Sequence, residues 1–268
     1  MFDKNENVLI TVKAYPNPSK KYQETVCVAG IVLNKGLIRL YPIKYRSLPE
    51  DKKFKKYDIV NVDIVKHNDG RPESYRPVLE KFKKVRNIST KYDKSWSERK
   101  SIVLEFADES MCDIQRKQQE YGKSLGLFKP KEIHDLIITK DNNRNLESKK
   151  SLYSQMSMFG KTLKPLDDIP YSFKFKYSCY HSNCKGHVQS LIDWEVFELY
   201  RNIKKKYGNA IDTIKEKIKQ KYLDEILSEK KDFYFFAGNQ FLHPKSFILL
   251  GVFWPPKHTG IQLSLDEL

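Results

Sequence analysis

The chain has 268 residues, 40% hydrophobic and 13% aromatic, which excludes global disorder and is enough to bury one large domain or two small ones. With 49 Lys and Arg against 34 Asp and Glu, the formal charge is +15, an excess that attracts polyanions, nucleic acid first among them. No apolar run reaches the ~18 residues that cross a bilayer. The start, MFDKNENVLITV, has acids where a signal peptide would be apolar, and four cysteines are too few for a disulfide framework, so a cytoplasmic setting is expected.

The first half reads as β. VLITVKAY (Val8–Tyr15), ETVCVAGIVL (Glu24–Leu33) and GLIRLYPI (Gly36–Ile43) are rich in β-branched and aromatic residues, and Asn34-Lys35-Gly36 suits a hairpin turn. YDIVNVDIVK (Tyr57–Lys66) alternates, and VLEKFKKVRNI (Val78–Ile88) makes a further strand. Strands at ~10-residue spacing predict a small barrel, OB or SH3-like. GRPESYRP (Gly70–Pro77), with two prolines, is expected as a loop on it.

Ser95–Ala107 and Asp108–Lys123 lean helical, Ser124–Lys140 returns to an extended pattern after Pro130, and the polar stretch Lys140–Lys150 suits a boundary. The division expected is a β-rich barrel-like domain over 1–140 and a Cys/His-containing α+β domain over 141–268. In the latter, SFKFKYSCY (Ser172–Tyr180) is a strand, and apolar spacings of three and four predict helices over Val188–Tyr207 and Ala210–Ser228. These should pack on two apolar strands, Asp232–Gly238 and Ser246–Trp254. The fold class is therefore α+β. No internal repeat is visible.

Four blocks, GIVLNKGLIRLYPI, GRPESYRP, CKGHVQSLIDWE and GNQFLHPKSFILLGVFWPP, resemble pieces of a family of bacterial and phage-borne proteins of uncharacterised function. The first block also resembles the opening hairpin of proteins with paired OB-type domains. The resemblance implies a prokaryotic, nucleic-acid-linked context and carries no functional residue with it.

Chemistry concentrates in C-x-H-x2-C-x2-H, formed by Cys179, His181, Cys184 and His187. Zinc takes four thiolate or imidazole ligands at tetrahedral corners. Cys179, Cys184 and His187 can meet at a turn bent by Gly186, with a fourth ligand from His181, His243 or Cys27. The alternative is a free thiol pair with a helix-capping His. Asp193 and Glu195 follow at once. Two apart on a helix, they diverge, so they read as helix-surface acids rather than a paired metal site.

The basic runs Lys52, Lys53, Lys55, Lys56 and Lys83, Lys84, Arg86 interleave with Phe54, Tyr57 and Phe82. That pattern suits a groove where cations neutralise phosphates and rings stack on bases. Arg39, Arg71, Glu73 and Arg76 fall among barrel strands, as a polar pocket or an ion-pair cluster. The expected function is nucleic-acid binding with a structural zinc site. The rivals are a metal-dependent enzyme acting on nucleic acid or nucleotides, with Asp193 or Glu195 as base, and a subunit that binds a protein partner encoded in the same defence or phage operon.

Overall fold

The apolar runs of this chain have more than one face to bury, and the strand order shows why. The computed structural model describes residues 2–19, 23–141, 166 and 169–257. Its first sheet comprises β1 (Asn5–Lys13), β2 (Asn17–Ser19), β3 (Gln23–Val32), β4 (Gly36–Ile43), β5 (Asp58–Lys66) and β6 (Ser74–Asn87). The order is β1-β5-β6-β4-β3-β2, and β1 also pairs with β3, so β1, β3, β4, β6 and β5 close into a five-stranded barrel. Only β4 and β6 run parallel. Ranked along the chain, the strands follow 1-2-3-5-4-1 with the third and fifth parallel, which is OB-type connectivity rather than SH3-like.

The β3–β4 hairpin turns where expected, with Asn34 at φ 61° and Val32 facing Gly36. The expected loop over Gly70–Pro77 is shorter than read, because β6 already begins at Ser74. Pro77 is tolerated there because β6 pairs with β4 only at Ser74 and Tyr75, so no ladder bond to β4 is lost at Pro77.

Helices α1 (Ser97–Leu104) and α2 (Met111–Tyr121) link this barrel to a second sheet. The second sheet contains β7 (Leu125–Phe128), β8 (Glu132–Lys140), β9 (Tyr171–Ser178), β10 (His187–Leu191), β11 (Tyr234–Asn239) and β12 (Phe247–Phe253), in the order β7-β11-β12-β10-β9-β8. β7 and β8 are halves of one strand broken at Pro130. Counted as one, they close the sheet with the same 1-2-3-5-4-1 order, and again the third and fifth strands, β10 and β12, are the parallel pair. The molecule is a tandem of two such barrels. Because β7 and β8 belong to the second, the division expected at 140/141 shifts towards the helical link.

Between β10 and β11 lie α3 (Trp194–Tyr207), α4 (Ile211–Lys219) and a π-helical turn at Gln220–Ile226. The helix expected from Val188 starts six residues later. Val188 to Leu191 pair instead with β9, and Asp193 caps α3 by accepting from the Glu195 amide at 3.2 Å. Among the described residues no helix is long and apolar enough to cross a membrane.

Three cores result. Val8, Ile10, Val28, Leu40, Phe54 and Phe82 fill the first barrel. Phe173, Phe175, Phe235 and Leu249 fill the second, closed by Val196, Phe197, Ile214 and Ile218 of α3 and α4. Between the barrels, Leu9, Ala29, Ile31 and Leu37 meet Leu125, Phe236, Leu250 and Phe253. VLITV, FYFF and FILLGVF lack clean alternation because both faces of each strand are buried. Phe236 is 1% exposed in the interbarrel core, so Phe236→Ala should cost ~3–5 kcal/mol in denaturant unfolding. A loss below ~1 kcal/mol would mean the barrels do not stabilise each other through this layer.

Candidate metal centre

The hairpin β9–β10 is built to bring side chains to one point. β9 ends at Ser178, the chain turns, Gly186 takes φ 83°, and His187 re-enters opposite Tyr177. The imidazole stacks on the Tyr177 ring at 5.1 Å, and that ring is itself fixed by its hydroxyl donating to Gln189. The remaining wall comes from α2. Ser110 caps it by accepting from Asp113, and the anchors Met111 and Ile114 enter the second core, which aims Cys112 at the hairpin.

Cys112, Cys179, Cys184 and His187 place their ligand atoms within 4.8 Å of one another. His187 Nε2 lies 3.5, 3.6 and 3.4 Å from the sulfurs of Cys112, Cys179 and Cys184, and Cys179 and Cys112 are 3.4 Å apart. A zinc ion with its usual bond lengths sets tetrahedral edges of about 3.5 Å for S···N and about 3.8 Å for S···S. The group has the size of such a shell.

Its electrostatics suit thiolates. Cys184 Sγ accepts from the amides of Cys179 and Gly186, both at 3.4 Å. Burial opposes charge on Cys179, but the amides of Cys112 and His181 and hydrogen bonds with His187 and Cys184 outweigh it and bring the thiol down to about 6. Burial, and then its contact with Cys179, pushes Cys112 up to about 12. A cation at the centre would reverse that last effect by favouring every thiolate at once.

The fourth member is therefore none of the residues expected for it. His181 is exposed and accepts from the Asn183 amide at 3.2 Å, outside the group. His243 is exposed in the β11–β12 loop, and Cys27 lies in the first barrel against a different cavity.

The expected phosphate groove needs a larger correction. Phe54, Phe82 and Tyr57 are core residues, 0%, 4% and 8% exposed, and rings buried this way cannot stack on a base. Lys52 donates to the Leu79 and Glu80 carbonyls, Lys53 pairs with Glu50, Lys84 pairs with Asp58, and Arg86 pairs with Glu98. Lys56 is directed inward to Glu195 at 2.7 Å, Asp193 at 3.3 Å and the Val252 carbonyl at 3.4 Å. Only Lys55 and Lys83 of the seven cations are exposed without an ion pair among the described residues. Asp193 is no surface acid either. It is 1% exposed, and burial pushes its carboxyl up to about 6, with Glu195 adding to the rise and Lys56 opposing it.

Two family models match. One, described as domain of unknown function DUF8758, covers residues 4–105, and the other, domain of unknown function DUF8757, covers residues 107–267. They meet between α1 and α2, in the link between the barrels. No curated protein matches the chain.

Proposed function

Because the chain belongs to the DUF8757 family, whose description assigns no activity, we propose its function from its geometry: a nucleic-acid-binding protein made of two OB-type barrels, the second held by a structural metal, most simply zinc. The observation that carries this is the shared strand order. Barrels of this connectivity commonly bind oligonucleotides, and this pair carries +15. The metal reading follows from the ligand count. Three thiolates and one imidazole close a tetrahedron, whereas a catalytic zinc keeps a position open for water or substrate. The enzyme reading gains nothing from this site.

With the expected groove largely tied up, the cations left for phosphates include Lys55 and Lys83 and the exposed Lys204, Lys205 and Lys206 at the end of α3. Anisotropy titrations with labelled 5′-hydroxyl single- and double-stranded DNA and RNA should show affinity falling linearly in log–log against salt. Lys83→Glu should weaken all sequences alike and reduce the salt slope by about 1. Absence of association with every one of these at low salt would remove the reading, and the partner-binding role would take its place.

A further inference from the structure

The open face that an OB barrel usually offers, its second and third strands, is here β3 and β4, and Ala29, Ile31 and Leu37 on it are covered by the second barrel. What remains is a cavity of about 490 Å³ at the seam. Arg39, Tyr41, Arg71 and Arg76 line it from the first barrel, and Asn239 and Phe241 from the second. That size fits a small molecule or a chain end, not a strand in passage.

Its charge is not balanced. Arg39 is 2% exposed, and its guanidinium donates to the Ser124 hydroxyl at 3.1 Å, the Ser124 carbonyl at 3.0 Å and the Asn239 carbonyl at 3.5 Å. None of these is anionic. The Glu73 carboxylate does not pair with the guanidinium; it accepts from the Ser124 hydroxyl at 2.6 Å and the Ser124 amide at 3.1 Å, while the Glu73 carbonyl accepts from the Arg39 amide at 2.8 Å. Arg71 donates to the same Asn239 carbonyl at 3.3 Å, so two guanidiniums converge on one oxygen. Arg71 holds Asp69 through both Nε, at 3.0 Å, and Nη2, which turns its Nη1 edge to the cavity side, and Arg76 is exposed at the rim. The lining thus holds three guanidiniums against one carboxylate. A buried cation without a directly bonded counter-ion is costly, and two guanidiniums converging from Arg39 and Arg71 suit the oxygens of a dianion.

We propose that this pocket binds a dianionic phosphate group, with Arg39 and Arg71 as its forks and Tyr41 and Phe241 as apolar walls for what the phosphate is attached to. The phosphate belongs either to a small phosphorylated molecule or to the 5′ end of a nucleic-acid strand, and only the latter rests on the nucleic-acid reading. The test is calorimetry on the full chain and on Arg71→Ala with pyrophosphate and a nucleoside monophosphate, beside anisotropy with 5′-phosphorylated and 5′-hydroxyl oligonucleotides of one sequence. Saturable one-site binding of the small phosphates, weakened roughly tenfold or more in the variant, identifies a small ligand. A tenfold preference for the 5′-phosphorylated strand that the variant loses identifies a strand end. If neither small phosphate binds and the oligonucleotides are not distinguished, the proposal is overturned, even where 5′-hydroxyl strands bind and the nucleic-acid reading stands. Should Arg71→Ala melt early without ligand, Arg71→Lys, which keeps the charge and loses the planar guanidinium, gives the same reading.

Discussion

Cys112→Ser is expected to strip the purified protein of its metal and to destabilise the second barrel by about 3–5 kcal/mol. The parent should carry one equivalent of a zinc-class ion by elemental analysis, and the variant none. A structural zinc supplies about 10–16 kcal/mol to a peptide that has no other core. Here Phe173, Phe175 and Phe235 already hold the barrel, so the metal's share is the ordering of the β9–β10 hairpin against α2. Chelation should lower the melting temperature of the parent and leave that of Cys112→Ser unmoved. His181→Ala should keep both metal and stability, because its imidazole points to the Asn183 amide rather than to the sulfurs. The opposite pattern, with metal retained in Cys112→Ser and lost in His181→Ala, would make the site the local four-residue set. Acid should release the ion as the ligands take up protons.

Why the local trio is legible and its fourth member is not is a matter of chain distance. Cys179, Cys184 and His187 sit in one turn, where spacing alone limits the geometry. Cys112 lies 67 residues before Cys179, on a helix whose direction is set by a capping serine and two core anchors. The barrel strands were legible because β-branched runs punctuated by Asn-Lys-Gly and Gly-Arg-Pro leave few other readings. Val188 to Leu191 were not, since a short strand running into a helix continues the helical spacing of apolar residues. The tandem was hidden for a related reason. A shared strand order constrains where apolar residues fall but not which ones, so the two barrels repeat without a visible sequence repeat. Phe54 and Phe82 misled in the other direction. An aromatic flanked by lysines looks like a stacking ring, yet a barrel strand with one face inward gives the same pattern at Phe82, and the loop before β5 tucks Phe54 into the same core.

Lys56 is the case where a surface-looking residue holds the two barrels together. It stands in a lysine run of the first barrel, but its ammonium is buried against Asp193 and Glu195 of the second. Lys56→Met should cost ~3–5 kcal/mol, mainly because it takes away the ammonium bonded to the buried Asp193 carboxylate. Nothing can yield there easily. Gly251 packs so close that a Cβ on it would lie 2.9 Å from the Asp193 carboxylate. The cost should depend on pH with a definite sign. Asp193 has a folded-state value of about 6, above the ~3.9 of an unfolded chain, so the folded state holds this proton more tightly. Removing Lys56 raises that value further. Below about pH 6 the folded carboxyl is protonated with or without Lys56, and the deficit of the variant is smallest. It should widen as pH rises through about 6 and above, where the folded parent ionises Asp193 against Lys56 and the folded variant would have to carry the charge without that ammonium. Lys56→Met combined with Asp193→Asn should recover most of the loss, because asparagine still caps α3 through the Glu195 amide and brings no charge with it. Denaturant unfolding of the single and double variants at pH 4 and pH 7 decides the matter. A deficit that is the same at both pH values, or that the double variant does not recover, would mean Lys56 acts by packing its methylenes rather than by neutralising Asp193.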